Sequence, residues 1–127
     1  RPWQHVLEPL SGYLILAEQL YIHGSKHASA WNFGPQDEGN RSVKEVIEFM
    51  IQQWGGSAQW EKDGLDQPHE ANLLKLDCSK ARQSLGWMPR WGLETAIEKI
   101  VEWHKSFQSE ADMRALSIAQ IEEYTKS

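Results

Sequence analysis

The sequence predicts an α+β fold, mainly helical with a few short strands. Two observations carry that expectation. Apolar residues recur at helical spacing along Leu10–Tyr21, Val43–Trp54 and Leu93–Phe107, each stretch bounded by proline, serine or glycine signals. Between them only short runs, Ala28–Phe33 and Ala58–Glu61, have strand character. The chain has 127 residues, enough for one domain with a modest core.

Each element has a local reason. Pro9 suits the first turn of a helix, where its missing N–H costs nothing. From there Leu10, Tyr13, Leu14, Ala17, Leu20 and Tyr21 form one apolar face as far as His23, with Ile15, Leu16 and Ile22 off that face. Gly24-Ser25-Lys26 reads as a stop and turn. Ala28–Phe33 follows as a strand closed by Gly34-Pro35, and Gln36–Arg41 as a polar loop. Ser42 with Glu45 makes a capping box, and Val43, Val46, Ile47, Met50, Ile51 and Trp54 give an amphipathic helix ended by Gly55-Gly56. Ala58–Glu61 is expected as a strand, Lys62–Asn72 as a loop and Leu73–Leu76 as an extended piece. Asp77 is a natural N-cap for a brief helix through Leu85, stopped by Gly86. Leu93, Ala96, Ile97, Ile100, Val101 and Trp103 mark a helix to about Phe107. A linker at Ser109–Asp112 precedes a last helix signalled by Ser117 and Gln120 as a second capping box, with Ile118, Ile121 and Tyr124 on one face.

Composition narrows the classes. Net charge is −5 and no basic stripe occurs, which argues against a nucleic-acid partner. No apolar run approaches the roughly 20 residues of a membrane span. The lone Cys78 rules out an internal disulfide and fits a reducing cytoplasm, so a cytoplasmic location is expected. The chain begins at Arg1 without a methionine, so targeting is not fully legible. Seven tryptophans point to core and interface packing.

Several residue groups invite a chemical reading beside a plainer one. Arg1 precedes a helix with a planar guanidinium that matches phosphate oxygens; the plainer reading is a surface arginine. His69-Glu70 lacks a following x-x-His, so no zincin motif exists, and it also reads as a solvated loop pair. His5 and Glu8 do not make a zinc site, and His5 reads as a packing or capping residue. Cys78 follows the Asp77 cap, where a helix dipole lowers a thiol pKa, but it fits a small half-buried side chain. Lys80 and Arg82 read as a solvated helix face. Trp87 and Trp91, flanking Pro89, suit either base stacking or turn packing. No metal site is expected.

Arg1-Pro2-Trp3-Gln4-His5-Val6, Glu8-Pro9-Leu10, Ala30-Trp31-Asn32-Phe33-Gly34-Pro35, His69-Glu70-Ala71, Leu74-Lys75-Leu76-Asp77, Ser79-Lys80-Ala81, Leu85-Gly86-Trp87, Pro89-Arg90-Trp91 and Gln120-Ile121-Tyr124 together resemble the C-terminal portion of CDP-glucose 4,6-dehydratases. These are NAD-dependent extended short-chain dehydrogenase/reductase (SDR) enzymes. The Asp-x-Ser-Lys-Ala…Leu-Gly-Trp run is general to nucleotide-sugar epimerases and dehydratases; the Arg-Pro-Trp-Gln-His-Val run is narrower. The resemblance implies that residues 1–127 form one domain, the substrate-binding lobe of an extended SDR fold with its Rossmann core missing. Residues 1–35 would normally complete the dinucleotide-binding domain, with Trp31–Pro35 in its sheet. It implies Arg1 on the diphosphate and His69 and Glu70 nearer the nucleotide of a CDP-sugar. Many relatives carry an Arg-Pro-Gly-Asp-like run where this chain has Gln67-Pro68-His69-Glu70.

No G-x-G-x-x-G turn for an NAD pyrophosphate occurs in this sequence. Nor does a Tyr-x-x-x-Lys dyad, since Ala17 and Ser25 stand four residues after Tyr13 and Tyr21 and the chain ends before that point after Tyr124. No cofactor site and no catalytic residue are therefore assigned to this chain. The expectation is a CDP-glucose-binding portion that is catalytically incomplete, or else a self-associating structural fragment. With its expected sheet partners absent, residues 6–33 would pair with a second copy in a homo-oligomer.

Overall fold

The computed structural model describes residues 1–61, 64 and 74–127, apart from the side chain of Glu38. Helices α1 (Leu7–His23), α2 (Val43–Trp54), α3 (Ser79–Leu85), α4 (Leu93–Gln108) and α5 (Met113–Lys126) account for most of it. A short 3-10 turn at Gly24–His27 follows α1.

The α2 start forms as expected. Ser42 Oγ accepts from the Glu45 backbone N–H at 3.2 Å, while Glu45 Oε2 accepts from the Ser42 N–H at 2.8 Å. The helix packs on α4, joining Val46 to Ile97 and Val101 under Trp3, Phe49, Met50, Trp54 and Leu93. A second cluster gathers Phe33, Cys78, Ala81 and Trp87 beneath Ile15, Leu16, Trp31 and Leu85, and joins α1 to α3. Asp77 Oδ1 accepts from the Ser79 N–H at 2.8 Å at the entrance to α3. Gly86, at φ 64°, ends that helix in the left-handed conformation.

Three expectations are corrected. Neither Ala28–Phe33 nor Ala58–Glu61 is a strand, and the described residues contain one isolated antiparallel bridge, Pro2 to Asn40. A strand exists only through a ladder partner, and here side chains take that place. Gln4 Nε2 donates to the Phe33 carbonyl at 2.9 Å, Lys80 Nζ to the Ala30 carbonyl at 2.9 Å, and the Gly34 N–H to Cys78 Sγ at 3.1 Å. The fold is helical with extended connections.

The apolar face assigned to α1 points outward: Leu10 is 44%, Tyr13 57%, Leu14 73% and Tyr21 93% exposed. The buried side carries Glu8 and Gly12, with Ile15 and Leu16 against the core. Gly12 fixes that choice, because a Cβ there would lie 2.3 Å from Phe33 Cδ1. The helix is apolar on more than one side, so periodicity alone could not select the face that packs.

The last helix starts before Ser117. Asp112 is its N-cap, accepting from the Ala115 N–H at 3.0 Å. Ser117 sits inside α5, where its hydroxyl donates to the Met113 carbonyl at 2.7 Å and accepts from Trp103 Nε1 at 3.2 Å. Gln120 instead reaches α4, donating to the Lys99 carbonyl and to Glu102 Oε2, both at 3.1 Å.

Candidate functional site

The N-terminal arm that carries Arg1 is held against residues 39–41. The Trp3 N–H donates to the Gly39 carbonyl at 3.0 Å, and Trp3 Nε1 to the Arg41 carbonyl at 2.9 Å. Arg1 is exposed at the end of this arm. Two buried amide oxygens in the same region, Gln4 Oε1 and Asn40 Oδ1, have no hydrogen-bond partner among the described residues. Buried polar atoms are seldom left so, and these are acceptors open to a hydroxyl or water.

The connection Pro35–Asn40 that receives the arm also walls two clefts. Gly39 lets it close on itself, since a Cβ there would meet Pro35 Cβ at 2.5 Å. A narrow cleft of about 140 Å³ runs from Pro35, Gln36 and Gly39 to the Pro89–Leu93 turn. A wider one of about 500 Å³ lies between Pro35–Asp37, Leu76–Ser79, Arg82 and Met88. The wider cleft is polar: Arg82 supplies a cation, and Asp37 is paired with Lys75 at 3.0 Å. Hydrogen bonds from the Ser79 hydroxyl and backbone, aided by Arg82, hold the Asp77 carboxyl below its ordinary range. The arrangement can meet an anion at Arg82 and hydroxyl groups at the carboxylates.

The arm and the Pro89 turn are locked together by Glu8, a fully buried carboxylate. Its Oε1 accepts from the backbone N–H groups of Arg90 at 3.0 Å and Trp91 at 2.7 Å; its Oε2 accepts from Arg90 N–H at 3.1 Å and the Tyr124 hydroxyl at 2.7 Å. Ser11 Oγ lies 3.0 Å from the Tyr124 hydroxyl and accepts from Trp87 Nε1 at 2.9 Å. The Arg90 guanidinium turns away from Glu8 to the last carbonyls of α5, reaching Tyr124 at 2.9 Å and Thr125 at 2.8 Å. Burial, together with the Glu8 carboxylate, pushes the Tyr124 phenol up to about 12. Burial lowers the His5 imidazole, and Glu8 opposes that in part.

Of the expected contact residues, the structure places Arg1 on the arm, while His69 and Glu70 lie outside the described residues. His5 is a packing and capping residue, its Nδ1 accepting from the Leu7 N–H at 3.2 Å and its ring edge-on to Trp91. Trp87 and Trp91 are both buried, so turn packing is their role. Cys78 is buried. Lys80 and Arg82 both lie on an exposed face of α3, and Lys80 also bonds back to Ser29 and Ala30. The Glu8 network escaped the sequence reading; its only local signal was an acidic residue in the first turn of a largely apolar helix that also carries Glu18.

No group of three or more potential metal ligands occurs among the described residues. A dinucleotide does not fit them either, since no strand leads into a glycine turn and helix. No described helix is long and apolar enough to cross a membrane.

No family model matches the chain. CDP-glucose 4,6-dehydratase of Salmonella typhimurium is 51% identical over 124 residues, which cover 98% of this chain and 34% of the enzyme. The chain thus spans about a third of the length of the curated relative it matches, and it is similar to the C-terminal part of that enzyme.

Proposed function

We propose that this chain is the nucleotide-sugar-binding portion of a CDP-glucose 4,6-dehydratase, catalytically incomplete on its own. The observation that carries the reading is the 51% identity along nearly the whole chain to the C-terminal part of an enzyme of that name. The exposed Arg1, the unpartnered acceptors of Gln4 and Asn40, and the polar cleft beside Asp37 and Arg82 are compatible with a diphosphate and sugar hydroxyls. His69 and Glu70 belong to the same proposal through the resemblance alone. Calorimetric titration with CDP, CDP-glucose and UDP tests it. Saturable binding of the cytidine ligands, weakened by Arg1→Ala, is expected; no heat with any nucleotide refutes it.

A second reading, a self-associating fragment, is favoured by one observation. Leu10, Tyr13, Leu14 and Tyr21 form an exposed apolar stripe on α1, bordered by Glu18, of the kind a second copy can cover. Sedimentation at about 50 µM, a concentration suited to a modest interface, is expected to show a dimer or larger species that Leu14→Glu dissociates. A monomer throughout refutes this reading.

A further inference from the structure

On another part of the molecule, the turn after α1 and the helix α3 enclose a cleft of about 310 Å³ lined by Lys26, His27, Ser29, Trp31, Lys80 and Ser84. The lining presents two ammonium groups, two hydroxyls and an imidazole but no carboxylate, on a chain of net charge −5. None of these residues belongs to the contacts expected of Arg1, His69 and Glu70.

Its groups are positioned before any ligand arrives. Lys80 Nζ donates to Ser29 Oγ at 2.7 Å and to the Ala30 carbonyl at 2.9 Å, and lies 4.2 Å from the centre of the Trp31 ring. An ammonium has three N–H groups, so one remains beyond those two bonds. Trp31 Nε1 donates to the His27 carbonyl at 3.0 Å, and the two rings stack with centroids 6.0 Å apart. That stacking holds the His27 ring in place. His27 is only 8% exposed, and its Nδ1 is buried without a hydrogen-bond partner among the described residues. Lys26 makes no ion pair with a described residue.

A buried ring nitrogen with no partner among the described residues is unfavourable until a water or a ligand oxygen reaches it. Cations and hydroxyls converge there from two elements, Lys26, His27 and Ser29 on one side and Lys80 and Ser84 on the other. A carboxylate has two coplanar oxygens; a phosphate has oxygens that diverge tetrahedrally and can reach both sides.

We propose that this cleft binds a compact phosphate group, free or as a monoester, between Lys26, His27 and Lys80. The Nδ1–H tautomer of His27 donates to one phosphate oxygen, the lysines neutralise the charge, and Ser84 contributes a hydroxyl. The cleft is larger than one phosphate, so an attached carbon skeleton also fits.

The test follows the Trp31 indole and His27 imidazole signals of the 127-residue chain by nitrogen-15 NMR. Titrants are potassium phosphate, glycerol 3-phosphate and acetate, at constant ionic strength set with chloride. Both phosphates are expected to give saturable shifts with half-saturation on the order of 1 mM, while acetate gives none. The tighter of the two phosphates identifies a free ion or a monoester as the better ligand. Lys26→Gln is expected to weaken binding roughly fivefold through loss of one charge. Ser84→Ala, which leaves every cation in place, is expected to weaken it roughly twofold. Linear drift with phosphate, equal shifts with acetate, or an unchanged curve in Lys26→Gln overturns the proposal.

Discussion

Glu8→Ala removes the single acceptor on which three buried donors converge, the N–H groups of Arg90 and Trp91 and the hydroxyl of Tyr124. Tyr124 has an escape, because Ser11 Oγ stands 3.0 Å away and can take its proton. The two backbone N–H groups have none within the buried turn. Each of the two stranded donors costs about 1–3 kcal/mol, and the vacated side-chain volume adds about 1 kcal/mol, so the loss is about 3–7 kcal/mol. Glu8→Gln separates donor satisfaction from charge. Its amide oxygen still accepts both N–H groups, and its NH2 can donate to a Tyr124 oxygen whose proton has turned to Ser11. The change from charge-assisted to neutral bonds then costs about 1–2 kcal/mol, part of which is offset because no charge is buried. Against a total stability of about 5–15 kcal/mol for an ordinary domain, urea titrations followed by tryptophan fluorescence resolve both changes. The midpoint should fall with little change in slope. Glu8→Ala within about 1 kcal/mol of the parent, or Glu8→Gln as costly as Glu8→Ala, refutes the reasoning.

Four further outcomes follow from the same geometry. Gly12→Ala drives a methyl into the Phe33 ring, at 2.3 Å from Cδ1, and should cost about 2–3 kcal/mol in the same titration. Because burial lowers the His5 pKa from its ordinary 6.5, the unfolded chain takes up that proton first as pH falls. Stability should therefore be complete above about pH 6.5 and decline below it, and His5→Gln should lack this contribution. Tyr124 shifts the other way: an unfolded phenol ionises near 10 and the folded one near 12, so stability is retained below pH 10 and lost as pH rises toward 12. Tyr124→Phe should lack that alkaline loss in thermal melts. Arg90→Gln removes the guanidinium from the Tyr124 and Thr125 carbonyls at 2.9 and 2.8 Å. It should destabilise the chain by about 1–2 kcal/mol and raise amide hydrogen exchange at the end of α5.

What the sequence disclosed was governed by local chemistry. The Ser42–Glu45 cap, the Gly86 stop and the linker at Ser109–Asp112 all lie where their neighbours dictate. Ser117 and Gln120 share the spacing of a cap, but Asp112 had already begun the helix, and a serine inside a helix can bond its own preceding turn. Residues 28–33 have strand composition, yet pairing is a property of two segments, and no neighbour is present among the described residues. The α1 face was ambiguous for a related reason: apolar residues surround the helix, and the fit of Phe33 against Gly12 decides which side faces inward. At the candidate site, the place of Arg1 before a helix suited a surface arginine as well as a phosphate contact, and only the family resemblance favoured the second. The Glu8 acceptor was not legible, because its donors lie at positions 90, 91 and 124, beyond the reach of any local pattern.

The Glu8–Tyr124 bond joins residues 116 positions apart, so nearly the whole chain lies within the loop it closes. During synthesis, α1 emerges from the ribosome long before its final anchor exists, and its acidic group stays hydrated in the meantime. The α2–α4 pair needs only the chain up to Gln108 and can pack while translation continues. Seating of α1 thus has two stages, packing of Ile15 and Leu16 on the Phe33–Trp87 cluster and completion of the Glu8 shell by Tyr124. Loss of the Tyr124 hydroxyl would reach back across the molecule to the first turn of α1.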